Sequence, residues 1–453
     1  MSGSNAVVRP PGPGNLFRRG ELFSARRDPL GFLVSVASRY GDISYFKGGP
    51  FEVYFLTHPD HVRDVLTTHH HRFMKGQGIQ EMKRLLGEGL LTSEDPMHKR
   101  QRRLIQPMFH HSRISAYGDV MVRHANDLGA AWRDGEVLDV HEQMMKLTLS
   151  IVGKCLFDTD IGDSAARRVG DALTAALELF GKFQSFPFTD LLMRLPIPAK
   201  RRFFEAKESL DSIVFGMIDE RRATGDRGDL LSTLLTVQDE EETRGGMSDQ
   251  QVRDEAMTIL LAGHETTANA LTWTWYLLSQ HPDVERKLHD EVGAVVGDRL
   301  PSARDLPQLP YAERILSEAM RLYPPAWVLG RKALDEHEVD GYVIPGGSLV
   351  LLSPYVVQHD ARWFRDPYGF DPDRWTPEEQ RARPKHAYFP FGGGPRLCIG
   401  ESFAWMEGVL VMVTLARRWR FSLERGHPVG LQPAVTLRPK HGMRMVLERR
   451  KNG

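Results

Sequence analysis

Residues 247 to 282, "MSDQQVRDEAMTILLAGHETTANALTWTWYLLSQHP", constrain the fold of this chain more than any other stretch. Ser248 and Gln251 have capping-box spacing at one end, and His281-Pro282 supplies a stop at the other. About 33 residues at ~1.5 Å each give a helix spanning ~50 Å, the width of a whole domain. Its sides are apolar nearly all round, so it has to cross the interior of a large core. Yet Gly263, His264, Glu265, Thr266, Thr267 and Asn269 stand at its centre. Those polar groups make a membrane span a poor fit. A buried carboxylate or hydroxyl is costly without partners, and Gly263 costs ~1 kcal/mol against Ala inside a helix. A missing side chain there lets something bulky approach the helix axis. Two readings stay open: a satisfied polar patch or kink, and an acid-alcohol pair, Glu265 and Thr266, feeding protons to a buried site.

The rest of the 453 residues reads as mainly α with small β-sheets. "PLGFLVSVASRY" (29–40) is a helix with Pro at its first position and Gly41 beyond its end. "DISYFKGGPFEVYFLT" turns at Gly48-Gly49-Pro50 and reads as a hairpin. Helical patterns dominate from about 59 to 330, and strand signals return in 337–353 and in the C-terminal "HGMRMVLER". Neither a repeat nor a low-complexity linker divides the chain, so 1–453 is expected to be a single domain with 1–20 as an irregular lead-in. The aromatic, proline-punctuated stretch 183–198 is either a core-facing loop or a lid over an apolar cavity. Basic and acidic side chains balance at 59 each, which argues against nucleic-acid binding. Two cysteines, Cys155 and Cys398, make no disulfide framework, and the N-terminal stretch has no apolar run of signal or membrane-anchor length. A cytoplasmic protein is expected.

Cys398 lies in "FPFGGGPRLCIGESFAW" (389–405), with three glycines before it and a helical pattern after it. Helix N-terminal amides and the helix dipole favour a thiolate there. A structural zinc site and a redox dithiol both lack a second nearby cysteine, and the glycine spacing fits no nucleotide loop. A nucleophilic cysteine and a thiolate ligand to haem iron remain, the latter with Arg396 set for a propionate.

The segment resembles the haem-binding signature of the cytochrome P-450 superfamily, F-x-x-G-x-R-x-C-x-G, at Phe391, Gly394, Arg396, Cys398 and Gly400. The resemblance covers essentially the whole chain. Ala262-Gly263-His264-Glu265-Thr266-Thr267 is similar to the family's oxygen-activating helix motif, and Glu318-Ala319-Met320-Arg321 to its E-x-x-R. Arg374 in "FDPDRW" resembles its meander arginine, and His98 and Arg102 its H-x-x-x-R. Arg331 falls where another propionate contact is usual.

The resemblance implies haem b (iron protoporphyrin IX) with Cys398 as the axial iron ligand. It implies propionates met by His98, Arg102, Arg331 and Arg396, and a structural triad of Glu318, Arg321 and Arg374. Gly263 would clear room beside the haem, Thr266 would serve oxygen activation, and Glu265 would relay protons. The chain holds no flavin or nicotinamide segment, so electrons would come from NAD(P)H through an external ferredoxin or flavodoxin and its reductase. Lys99, Arg100 and Arg103 would face that carrier, or simply form a solvated basic face. A monomer is expected. By family position the substrate pocket would draw on Met82, Leu86, Phe180, Phe183, Leu261, Trp327, Val328 and Val435, an apolar set suited to a hydrophobic metabolite. A terpenoid leads and a fatty acid follows. A peroxide-driven or isomerising haem-thiolate protein, a haem sensor and a cysteine hydrolase are the competing classes. His264 reads as a packed helix residue, the run His69-His70-His71 as a solvated helix end, and Cys155 as an inert buried thiol.

Overall fold

In the computed structural model described here, residues 8–16, 21–159, 198–236 and 246–450 are described. The central helix is Asp249–Gln280, closed at its start by the reciprocal Ser248–Gln251 capping box. It packs against the helices Val140–Phe157, Pro310–Leu322 and Glu401–Ala416, and one large apolar core runs between them. The largest sheet has six strands in the order Gly14–Asn15, Ile43–Gly48, Phe51–Leu56, Leu349–Leu352, Leu329–Ala333, Phe73–Lys75. Strands from both ends of the sequence thus meet in one sheet, as the reading above anticipates. The lead-in is more ordered than expected, because Gly14 and Asn15 pair in parallel with Phe46 and Lys47.

The hairpin forms across Gly49-Pro50, with Phe51 opposite Gly48. The helix Pro29–Tyr40 starts on Pro29 behind an Asp28 cap and ends at Gly41. Smaller sheets join Trp419–Leu423 to Arg444–Arg449 and Val137–Asp139, and Leu431–Pro433 to Leu437–Pro439.

The triad implied by the resemblance is closed. Arg321 donates from Nε and Nη2 to the two oxygens of Glu318, both at 2.8 Å, and Arg374 Nε adds a third bond at 2.9 Å. The sequence offered no sign of a fourth donor, Trp375, whose indole N–H reaches Glu318 at 2.9 Å. Arg321 also donates to the carbonyls of Gln358, Pro367 and Gly369. Gln358 in turn accepts from the Phe389 amide at 3.2 Å, so the lock continues into the cysteine loop.

Glu318 and Arg321 are fully buried, and a buried pair that loses one partner typically costs about 3–5 kcal/mol. Arg374→Ala is therefore expected to lower the denaturation free energy by about that much. Lys287→Ala, at the exposed Lys287–Asp373 pair, is expected to change it by less than ~1 kcal/mol. Urea titration of both variants checks the contrast.

Candidate active site

The cysteine loop is shaped by what its glycines permit. Gly392 and Gly394 sit at φ values of 77° and 66°, where other residues are strained. A Cβ on Gly394 would stand 1.9 Å from the carbonyl oxygen of Leu66, so only glycine fits against that turn. The loop then closes on itself: Leu397 N–H donates to the Gly394 carbonyl and Cys398 N–H to the Phe391 carbonyl, both at 3.0 Å. The following helix starts at Glu401 with Gly400 as its cap. Cys398 thus stands just ahead of a helix N-terminus, and the Phe391 ring lies 5.8 Å from that of Trp405 on this helix.

The thiol is not held as a thiolate by the protein alone, which corrects the electrostatic expectation. Burial raises its pKa, and the Gly400 N–H offsets this only in part. Glu401 adds to the rise, while the charge of Arg102 opposes it. Although Cys398 lies deep among protein atoms, it is exposed.

The central helix shows a matching break. Between residues 252 and 275 only Ala262, Gly263 and Thr266 are not buried, and Ala262 is exposed. Positions 262 and 266 share a helix face. The Thr266 hydroxyl donates to the Ala262 carbonyl at 2.8 Å. Glu265, one residue away, turns elsewhere. It is buried and accepts from Arg438 Nε at 2.7 Å and from the Thr436 hydroxyl. Asn269 donates to Thr436 at 3.1 Å and meets His141 at 3.1 Å. Burial alone would raise the Glu265 pKa, but Arg438 and Thr436 outweigh it and hold it below its ordinary value. An acid and an alcohol facing one site is therefore half met: Thr266 lies on the open face, while Glu265 is turned to Arg438 on the strand Leu437–Pro439. Gly263 admits the neighbouring helix, since a Cβ there would lie 3.1 Å from Val152.

Cationic groups gather near the loop. Arg396 pairs with Glu94 and lies 3.9 Å from Asp95. Lys75 Nζ donates to the carbonyls of Leu90 and Ser93. Burial and the charge of Arg396 lower the Lys75 pKa to about 7. Arg331 is lowered to about 10 by the same two causes, and its guanidinium donates to the carbonyl of Gly330 at 3.0 Å. His98 is buried beside Asp95 at 3.4 Å, and its pKa falls to about 4 through burial and the charges of Lys75 and Arg396. Arg102 donates to the Leu397 carbonyl at 2.7 Å, one residue before the cysteine.

Lys75 and Arg438 were missed from sequence. A lysine in a three-residue strand and an arginine in "TLRPK" carry no pattern that marks them as inward-facing.

The pocket candidates divide. Met82, Leu86 and Leu261 are enclosed in the main core, and Trp327 in the core beside the N-terminal sheet, its indole N–H bonded to the Ala434 carbonyl at 2.9 Å. These four are corrected to core residues. Val328 and Val435 remain partly exposed. Phe180 and Phe183 lie outside the described residues, as does almost all of the 183–198 stretch.

An exposed cysteine just ahead of a helix N-terminus and an open face on the central helix are the features that the resemblance to haem-thiolate proteins implies. The chain belongs to the cytochrome P450 family, whose model matches residues 10–444. Cyclooctatin synthase of Streptomyces melanosporofaciens is 41% identical over 428 residues, 94% of this chain and 92% of that protein. The cyclooctat-9-en-7-ol 5-monooxygenase of the same organism is 36% identical over 409 residues, covering 90% of this chain and 88% of that protein. Pentalenene oxygenase of Streptomyces avermitilis is 35% identical over 414 residues, 91% of each chain. The cytochrome P450DA heme domain superposes with a TM-score of 0.88 at 26% identity, covering 99% of both chains. This chain is accordingly a P450 monooxygenase.

The family implies haem, and the residues present fit it. Cys398 is exposed, Gly400 supplies an amide to the sulfur, and Lys75, Arg331 and Arg396 stand close enough to repel one another beside Glu94, Asp95 and Glu255. Among the described residues no helix is long and apolar enough to cross a membrane.

The Glu265–Arg438 pair gives a pH test. The Glu265 pKa is depressed on folding, so its contribution to stability is present above its ordinary value of 4.5 and is lost as pH falls through the lower folded value. Arg438→Met removes the partner of a buried carboxylate. The variant is expected to lose about 3–5 kcal/mol at pH 7 and to recover part of it toward pH 5, where protonation neutralises Glu265. Urea midpoints across pH 4.5–8 measure this against the parent protein.

Proposed function

We propose that Cys398 ligates the haem iron and that the enzyme oxidises a polycyclic terpenoid of bacterial secondary metabolism. The observation that carries the first half is the exposure of Cys398 in its glycine loop, with Ala262 exposed on a central helix that is otherwise almost wholly buried. Bound haem supplies oxygen activation and oxidation of a C–H bond or C=C. The protein's own groups do the rest. Gly400 N–H and the charge of Arg102 would steady the sulfur, while Lys75, His98, Arg331 and Arg396 would meet the propionates. Thr266 holds a hydroxyl proton at the open face of the central helix. For Glu265 to relay a proton toward it, the carboxylate must leave Arg438.

The substrate reading rests on three relatives whose names give cyclooctatin, a cyclooctatenol and pentalenene. Val328 and Val435 offer apolar surface of the right kind. Fatty-acid hydroxylation is the second reading, and the apolar walls would serve it equally. Screening polycyclic terpenoid alkenes and alcohols against long-chain fatty acids for the water-displacement shift of the haem spectrum separates them. Micromolar shifts are expected with the terpenoids; shifts with fatty acids alone would overturn the assignment. Thr266→Ala is expected to keep consuming reductant while forming peroxide instead of product, and fully coupled turnover would contradict its role.

Electrons are proposed to come from NAD(P)H through a ferredoxin or flavodoxin and its reductase. A hollow of about 420 Å³ beside Pro395 is lined by His98, Lys99, Arg102, Arg103 and His110, with Lys99 and Arg103 exposed. Lys99→Glu with Arg103→Glu is expected to slow reduction by an acidic ferredoxin at least ~10-fold at low salt, the difference fading as salt rises. Stopped-flow reduction across ionic strength reads it, and a salt-independent rate would place docking elsewhere. A single-domain cytoplasmic monomer is the state we propose for the working enzyme.

A further inference from the structure

In the triple-histidine run His70 and His71 form a solvent-facing helix end as expected, half-buried and exposed, but His69 is engaged elsewhere. Asp64–Thr68 forms a π-helical turn in which the His69 N–H donates to the Asp64 carbonyl at 2.8 Å. This wider turn brings the side chain five residues on over the first, whereas an α-helical turn would align i with i+4. His69 Nδ1 consequently lies 2.5 Å from one Asp64 oxygen. His337 comes from the opposite side, at the start of the hairpin His337–Val339 and Tyr342–Ile344, and its Nε2 lies 2.5 Å from the other Asp64 oxygen.

We propose that Asp64, His69 and His337 bind one late divalent transition ion of the zinc class. Their donor atoms all lie within 4.8 Å of one another. Two imidazole nitrogens and one carboxylate are a donor set that selects zinc and its neighbours over magnesium or calcium. Ligand atoms around a tetrahedral zinc stand roughly 3.4 Å apart, so closure needs shifts of about an ångström. The partly exposed His69 ring and Asp64 carboxylate can make them, and they leave a path for the ion from solvent. His337 is the fixed member: it is buried, with the Phe73 ring 5.0 Å away edge-on. Its Nδ1 has no protein partner, so the ring is held in place through Nε2 alone. On binding, the proton each imidazole now shares with Asp64 moves to the other ring nitrogen, and water completes the coordination.

The site would act as a clip. His61 already bonds Asp340 of the same hairpin at 2.7 Å, and the ion would replace the His337–Asp64 hydrogen bond with a stronger tie between the two segments. The clipped turn also supports the cysteine loop, since Leu66 lies directly against Gly394. Zinc binding is therefore expected to make haem retention more heat-resistant.

The test uses untagged, haem-loaded protein stripped with a chelator and titrated with zinc by calorimetry. One equivalent should bind with a Kd of roughly micromolar or tighter, uncontested by millimolar magnesium. His69→Ala alters a partly exposed ring, and Asp64→Asn keeps the side-chain shape; each should weaken binding at least ~10-fold with the reduced carbon-monoxide spectrum unchanged. X-ray absorption at the zinc edge should show two imidazole ligands. Binding that both variants leave intact would overturn the site, as would a parent Kd weaker than ~100 μM.

Discussion

The site depends on one unfavourable act: placing a sulfur where burial resists its charge. Burial raises the Cys398 pKa, and the Gly400 amide recovers only part of that. A metal cation is the natural remedy, because it replaces the proton and neutralises the thiolate together. The surrounding sequence follows from holding the sulfur in place meanwhile. Gly394 lets the loop lie against Leu66, the Phe391 carbonyl fixes the Cys398 amide, and Arg102 braces the Leu397 carbonyl. Behind the loop, Gln358 transmits the rigidity of the Glu318 lock to Phe389.

The second constraint is charge balance. Lys75, Arg331 and Arg396 crowd one edge of the site, and their mutual repulsion with burial lowers the first two pKa values. Anionic propionates would relieve that repulsion, so the pocket is arranged for a dianion. The opposite logic holds at Glu265, a buried acid already satisfied by Arg438 and Thr436. Its network runs through Asn269 to His141, tying the polar centre of the long helix to a C-terminal strand. Polar groups that looked like interruptions of a hydrophobic helix are thus mostly partnered. His264 is the exception: its buried ring has both nitrogens without a protein partner and a pKa lowered to about 4, so it sits neutral in the core.

Local signals were legible in the sequence where a single element decides them. The Ser248–Gln251 capping box and the Gly48-Gly49-Pro50 turn read correctly, because periodicity and turn chemistry act within a few residues, whereas the buried Glu318–Arg321 lock came only from the family resemblance. The motif residues of the cysteine loop were legible for the same reason. What could not be read were long-range pairings. Nothing near Glu265 announces Arg438, 173 residues away, and nothing in "HHHRF" announces His337. The role of Trp327 was misread because sequence shows that a position is special without showing what lies across from it. Met82 and Leu86 failed similarly, since apolar character alone does not separate a pocket wall from the core.

The central claim is a bond between the Cys398 sulfur and haem iron, and the absorption spectrum of the reduced protein under carbon monoxide tests it most directly. A Soret band red-shifted as thiolate ligation requires, and lost in Cys398→His even when haem is retained, is the predicted result. A parent spectrum typical of imidazole ligation, or intact protein that takes up no haem, would contradict the account.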